Sequence, residues 1–176
     1  MAKAKNKIIK VLILGSTGQL GSDIYNKLKT KKYIKILNNK KFRLNFLKKR
    51  NLKENLKNLK PGIIINCSAF TDVELSEVKK TEARIINADA LKIISKYCIN
   101  NDTTLIHFST DYVFNSKFKK LFKEDSYTNP INYYGKTKLL GEKYIKKYMN
   151  KFYIFRVSWL YSKSQNNFYT KIKKKY

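Results

Sequence analysis

Residues 8–21 read IIKVLILGSTGQLG: an apolar run, Ile8–Leu14, stops at Gly15, and further glycines follow at 18 and 21. From Gln19 onward, QLGSDIYNKLKT carries apolar residues at helical spacing, so the segment reads as a buried strand, a tight turn and a helix. This constrains the fold more than any other stretch. A strand that is apolar throughout must be covered on both faces, and a glycine turn into a helix begins a parallel α/β crossover. It also suggests chemistry. Glycine permits unusual torsions and lets a pyrophosphate approach the backbone, while the helix start offers oriented N–H groups. Gly15, Gly18 and Gly21 are therefore candidate dinucleotide-binding residues.

The same alternation continues along the chain. Further strands are expected at Tyr33–Leu37, Pro61–Asn66, TTLIHFS (103–109) and KFYIFRVS (151–158). Between them, Leu52, Leu56 and Leu59 form one helical stripe, and positions 85, 86, 90, 93, 94 and 97 mark a helix buried along one side. NYYGKTKLLGEKYIKKYM (132–149) is a long helix. The expectation is an α/β fold, a Rossmann-like doubly wound parallel sheet, with no internal repeat and no linker. The final SKSQNNFYTKIKKKY begins another amphipathic pattern.

Composition bounds the function classes. A length of 176 residues with 43% hydrophobic content suits one domain. Cys67 and Cys98 stand far apart beside a single histidine, His107, which leaves no zinc ligand set and fits a reducing cytoplasm. The lysine-flanked apolar start imitates a secretory signal, but Lys10 splits the run and no small-x-small site follows. No stretch approaches the roughly 18 apolar residues of a membrane span, so no membrane partner is expected. A net charge of +27 would ordinarily indicate nucleic acid. Against that, only four cations are arginine, and the lysines are scattered among Asn, Ile, Tyr and Phe, all residues with A/T-rich codons. No specific nucleic-acid partner is expected, only weak salt-sensitive adhesion.

Two further groups of residues carry chemistry. Tyr134 and Lys138 stand four apart on the long helix and so share a face; Tyr133 has no such partner. A cation about 4 Å from a phenol, at an effective dielectric of about 20, contributes about 4 kcal/mol. That is enough to bring its pKa from about 10 toward neutrality and make Tyr134 a general acid or base. In HFSTDYVF, Ser109, Thr110 and Asp111 end the fourth strand, the edge at which open parallel sheets bind ligands. A hydroxyl there can hold a substrate carbonyl. After the second strand, where an NAD site would place an acid, stand Asn38–Lys41 with Arg43; these cations favour NADP(H), with NAD(H) as second candidate.

The glycine turn, the Ser-Thr-Asp strand end and Tyr-x-x-x-Lys, in that order, resemble the extended short-chain dehydrogenase/reductase superfamily. STDYVF, YGKTKLLGE, FRVSWLY and NNF resemble its dTDP-4-dehydrorhamnose reductase branch, over about Ile8 to Thr170. The resemblance implies hydride transfer from a nicotinamide to the C4 keto carbon of a dTDP-sugar, in nucleotide-sugar synthesis for cell-surface polysaccharide. It makes Tyr134 the proton donor, Lys138 the holder of the nicotinamide ribose and Thr110 the residue that orients the carbonyl. By the same carry-over Gly18, Gln19 and Leu20 face the pyrophosphate, Ala69, Phe70 and Thr71 line the cofactor, Asn45 and Phe46 flank the adenine, and Asp111 and Trp159 lie near the sugar. The resemblance leaves room for a homodimer. Family members continue beyond the equivalent of Tyr176, so the expectation is residues 1–160 as an NAD(P)-binding domain and 161–176 as the start of a missing C-terminal substrate-binding part. A sheet with an unpaired edge would follow. Four rival readings stay open: a non-catalytic NADP-binding regulatory subunit resembling the β subunit of methionine adenosyltransferase, an inactive truncated remnant, a sister sugar-nucleotide epimerase or dehydratase, and RNA binding by the lysine surface.

Overall fold

The structure, a computed structural model, describes residues 8–37, 45–115, 121–162, 170 and 172. Five strands form one parallel sheet: β1 (Ile9–Leu14), β2 (Ile34–Ile36), β3 (Ile63–Asn66), β4 (Thr104–Thr110) and β5 (Phe152–Val157), in the order β2-β1-β3-β4-β5. The order reverses between β1 and β3, which opens a crevice beyond their C-terminal ends. Register fixes what meets there. Leu14 pairs with Asn66 and Asn66 with His107, so the segments that follow β1, β3 and β4 emerge along one rim.

Because side chains alternate across a strand, each strand feeds two cores. Leu12, Leu14, Ile64 and Leu105 point to one face. There they meet Leu52 and Leu56 of α2 (Lys49–Leu59), and helix residues Leu91, Ile94 and Ile145. Val11, Ile13 and Ile65 point to the other face, against Ile24, Tyr25 and Leu28 of α1 (Gln19–Leu28). The sheet is thus wound on both sides, as the apolar strands require.

Two helical features were not legible in the periodicity. A short helix, α3 (Val73–Val78), follows β3, and its Asp72 N-cap accepts a hydrogen bond from Leu75 N–H at 2.8 Å. Next come α4 (Lys80–Arg84), a π-helical turn (Ile85–Asp89) and α5 (Ala90–Asn100). The π turn adds a residue to the helical cycle and shifts the buried face. Ala83, Asn87, Ala90, Leu91, Ile94 and Cys98 are buried, whereas Ile85, Ile86, Ile93 and Tyr97 are half-buried. The long helix is α6 (Tyr133–Tyr148), capped by Asn132, whose side chain accepts from Gly135 N–H at 2.8 Å. No described helix is long and apolar enough to cross a membrane.

Candidate active site

The rim begins with the glycine turn, whose three glycines act differently. Gly15 has φ +75, in the left-handed region, and a Cβ there would lie 2.9 Å from the Ser68 backbone nitrogen. At Gly21 a Cβ would sit 2.1 Å from the Gly15 carbonyl oxygen, so glycine is what lets α1 pack onto the turn. Gly18 is exposed and uncrowded; it caps α1 without a side chain, and its N–H closes the turn on Gly15 C=O at 3.0 Å. A bare backbone at the mouth of a helix, braced by two glycines behind it, fits a dinucleotide pyrophosphate. Gln19 and Leu20, half-buried, open the helix beside it.

Ala69, Phe70 and Thr71 follow β3 on the same rim. Phe70 is held at both backbone groups by Asn87 from the π turn: Phe70 N–H donates to Asn87 Oδ1 at 2.8 Å, and Asn87 Nδ2 donates to Phe70 C=O at 3.0 Å. The same amide donates to Thr137 Oγ1 on α6 at 3.1 Å. Asn87 therefore ties the loop after β3 to the helix bearing Tyr134 and Lys138. Sequence reading missed it, because an asparagine amid an apolar stripe resembles a break in periodicity. Asn45 forms a turn before α2, its side chain accepting from Leu47 N–H at 3.0 Å, and Phe46 packs on the core. Asn38–Lys41 and Arg43, on which the NADP reading leaned, lie outside the described residues.

Tyr134 and Lys138 are both buried on one face of α6, as their spacing requires. The Thr110 hydroxyl lies close enough to the Tyr134 phenol to act on it electrostatically. It also accepts from Tyr112 N–H at 3.2 Å and donates to Asp111 Oδ1 at 3.0 Å. Asp111 in turn accepts from Ser158 Oγ at 2.8 Å. The expected electrostatics need correction. Burial pushes the Tyr134 phenol above its ordinary value near 10; Thr110 pulls against this, and Asp111 and Tyr112 add to the rise. The Lys138 ammonium does not acidify it, because Lys138 Nζ is turned to the β4 backbone and donates to Phe108 C=O at 2.7 Å. Burial brings Lys138 itself down to about 8, opposed by Glu142 and then by Cys67. Tyr134 is thus a protonated phenol at neutral pH.

Beneath Lys138 lies a polar pair. Asn66 Oδ1 accepts from Ser68 N–H at 3.2 Å, which leaves Asn66 Nδ2 as donor to His107 Nδ1 at 3.1 Å. The histidine proton therefore sits on Nε2. Burial and the Lys138 charge keep His107 well below 6.5, so the ring is neutral. Burial likewise pushes Cys67 up to about 12.

Trp159 and Asp111 line a cavity of about 260 Å³ with Tyr112, Phe114, Phe122 and Ile131. Trp159 is 74% exposed, and its φ of 51 is one that a bulky residue rarely adopts. Such a torsion beside a cavity is typical of a ligand wall rather than of core packing.

A glycine turn at the switch point of a doubly wound sheet, facing a buried Tyr-x-x-x-Lys helix, defines a Rossmann-like α/β domain. More narrowly, the chain belongs to the family described as RmlD substrate binding domain, whose model matches residues 9–176. It is 34% identical over 162 residues to dTDP-4-dehydrorhamnose reductase of Salmonella typhimurium, covering 91% of this chain and 54% of that protein. The Escherichia coli K12 protein of the same name is 33% identical over the same shares. Among solved structures, a dTDP-4-dehydrorhamnose reductase from Clostridium acetobutylicum superposes with TM-score 0.87 at 34% identity, over 94% of this chain and 59% of that one. The Bacillus anthracis reductase, solved in complex with NADP, gives 0.86 at 32%, over 95% and 59%. The chain spans about half the length of the curated relatives it matches.

Proposed function

We propose that the chain serves the NADPH-dependent reduction of the C4 keto group of dTDP-4-dehydro-L-rhamnose, giving dTDP-L-rhamnose. The observation that carries this reading is the meeting of Thr110 and Tyr134 at the rim, with Lys138 one turn further along α6. The cofactor, when bound, supplies a hydride to the C4 carbon. Tyr134 delivers its phenolic proton to the C4 oxygen, and its raised pKa ensures that this proton is present at neutral pH. Thr110 orients the carbonyl, Lys138 holds the nicotinamide ribose, and Gly15, Gly18, Gln19, Leu20 and Gly21 seat the pyrophosphate. Ala69, Phe70 and Thr71 wall the crevice, Asn45 and Phe46 flank the adenine, and Asp111 with Trp159 meets the sugar. The NADP complex of the Bacillus anthracis relative favours NADP(H).

The test is to mix the purified chain with NADPH and dTDP-4-dehydro-rhamnose and follow the nicotinamide absorbance. Oxidation that falls about 10²- to 10⁴-fold in Tyr134→Phe is expected. No oxidation, under conditions where the Salmonella typhimurium relative turns over, defeats the reading. NADPH binding without turnover, indifferent to Tyr134→Phe, would instead make the chain a non-catalytic binding subunit.

A further inference from the structure

Tyr134, Lys138 and Glu142 follow one another at four-residue spacing on α6, and all three are buried. Glu142 has no solvent exposure, and both its carboxylate oxygens are occupied by Arg156 of β5. Arg156 Nε donates to Oε1 at 3.0 Å and Nη2 to Oε2 at 2.7 Å. Arg156 also donates to Glu124 C=O at 3.0 Å and lies 4.9 Å from the Phe114 ring centroid, which fixes its guanidinium from outside. A buried ion pair is a poor way to gain stability, because desolvating two charges costs about as much as their attraction returns. Its charges therefore call for another explanation, and their neighbour supplies one.

We propose that Glu142, clamped by Arg156, is a positioning residue that keeps Lys138 an ammonium ion inside the crevice. The inference rests on the reading of Lys138 as the cation that meets the cofactor. Four groups bear on Lys138, and the Tyr134 phenol shares its helix face. Phe108 C=O accepts its hydrogen bond. The Cys67 thiol, the His107 ring and the Tyr134 phenol are all neutral near pH 7, for the reasons given above. Among the described residues, Glu142 is the one carboxylate that acts on Lys138. With both Glu142 oxygens bound to Arg156, it acts through its field rather than by a direct bond. Remove that negative charge and two cations share one buried site. Arginine does not release its proton, so lysine must.

The opposite substitutions separate this role from simple packing. In a chain carrying ¹³C-labelled lysine, the Lys138 side-chain signal, assigned by its loss in Lys138→Ala, should titrate with a midpoint near 8. Glu142→Gln should lower that midpoint by at least about one pH unit, a tenfold loss of ammonium at a given pH. Arg156→Gln, which frees the carboxylate from its guanidinium, should raise it. If Glu142→Gln does not fold, Arg156→Gln is compared with the double variant Glu142→Gln, Arg156→Gln, which leaves no unpaired guanidinium; the double variant should again titrate lower. Midpoints that stay put, or that move the same way in both single variants, overturn the proposal. No cofactor is needed for this measurement. If NADPH fails to bind at any pH while the midpoints move as stated, the reductase reading falls and the role of Glu142 stands.

Discussion

On the face of the sheet covered by α2, α5 and α6, Leu12, Ile64 and Leu105 have no exposure at all; on the opposite face, Tyr153 and Phe155 of β5 keep 60% and 49% of their surface. The same strands thus serve two different environments. The covered face carries Lys138, Glu142 and His107, polar groups buried among close-packed apolar neighbours where a charge is felt at full strength. The other face is sealed by α1 over Val11, Ile13 and Ile65 but thins toward β4 and β5, where Phe108 stacks on Phe155 at 5.8 Å in a half-open setting. Chemistry that depends on fixed polar groups has its place on the first face. The second face has apolar surface available for contact.

The contrast breaks most sharply if its covered side is hollowed. Leu105 is fully buried between β3, β5 and the helices, so Leu105→Ala should cost about 2–5 kcal/mol, read from the urea unfolding midpoint at constant slope. A loss below about 1 kcal/mol would mean that this face is no better packed than the other.

Next in size is the burial of Lys138. Its folded pKa of about 8 lies below its ordinary value of 10.5, so between those limits the unfolded chain binds more protons than the folded one. Stability from this group is therefore lowest below pH 8 and returns as pH rises toward 10.5. At about 1.36 kcal/mol per pH unit the gain comes to about 3 kcal/mol. Measured against Lys138→Met, in which every other lysine titrates alike, wild-type stability should rise across that window. A difference between the two proteins that stays flat with pH would show that Lys138 is not desolvated.

A smaller effect is expected at the glycine turn. Gly21→Ala drives a Cβ into the Gly15 carbonyl oxygen, backbone against backbone, and should cost about 1–3 kcal/mol with weakened NADPH binding measured by nucleotide fluorescence. Full stability in Gly21→Ala would mean that α1 sits less tightly on β1 than the described geometry requires.

How much of this was legible beforehand follows the same division. The five strands, the glycine turn and the Tyr134–Lys138 face were readable because each rests on local periodicity or spacing, which the chain must satisfy wherever it folds. The π turn at Ile85–Asp89 was not, since it breaks the period on which such reading depends, and Asn87 was hidden with it. The direction of the Tyr134 shift was misjudged for a related reason. Spacing puts Lys138 beside Tyr134, but where its ammonium points is decided by Phe108 C=O, thirty residues away in sequence. Desolvation, the largest influence on both groups, is a property of packing that no short motif encodes.

The smallest predicted effect is the one that tests the open face. Tyr153 stands on β5 with 60% of its surface in solvent and pairs in register with Ile106. Threonine, β-branched, keeps a high strand preference while removing the aromatic ring. Tyr153→Thr should therefore leave unfolding stability within about 0.5 kcal/mol. What should change is association: exposed aromatic residues on a sheet face that no described helix covers stick to other apolar surfaces. Sedimentation of wild type and variant over a concentration series separates the two effects. If Tyr153→Thr lost as much stability as Leu105→Ala, the face would be a packed core after all. If it changed neither stability nor association, the exposed ring would be an isolated surface residue of no consequence, and the contrast between the faces would reduce to the number of helices covering each.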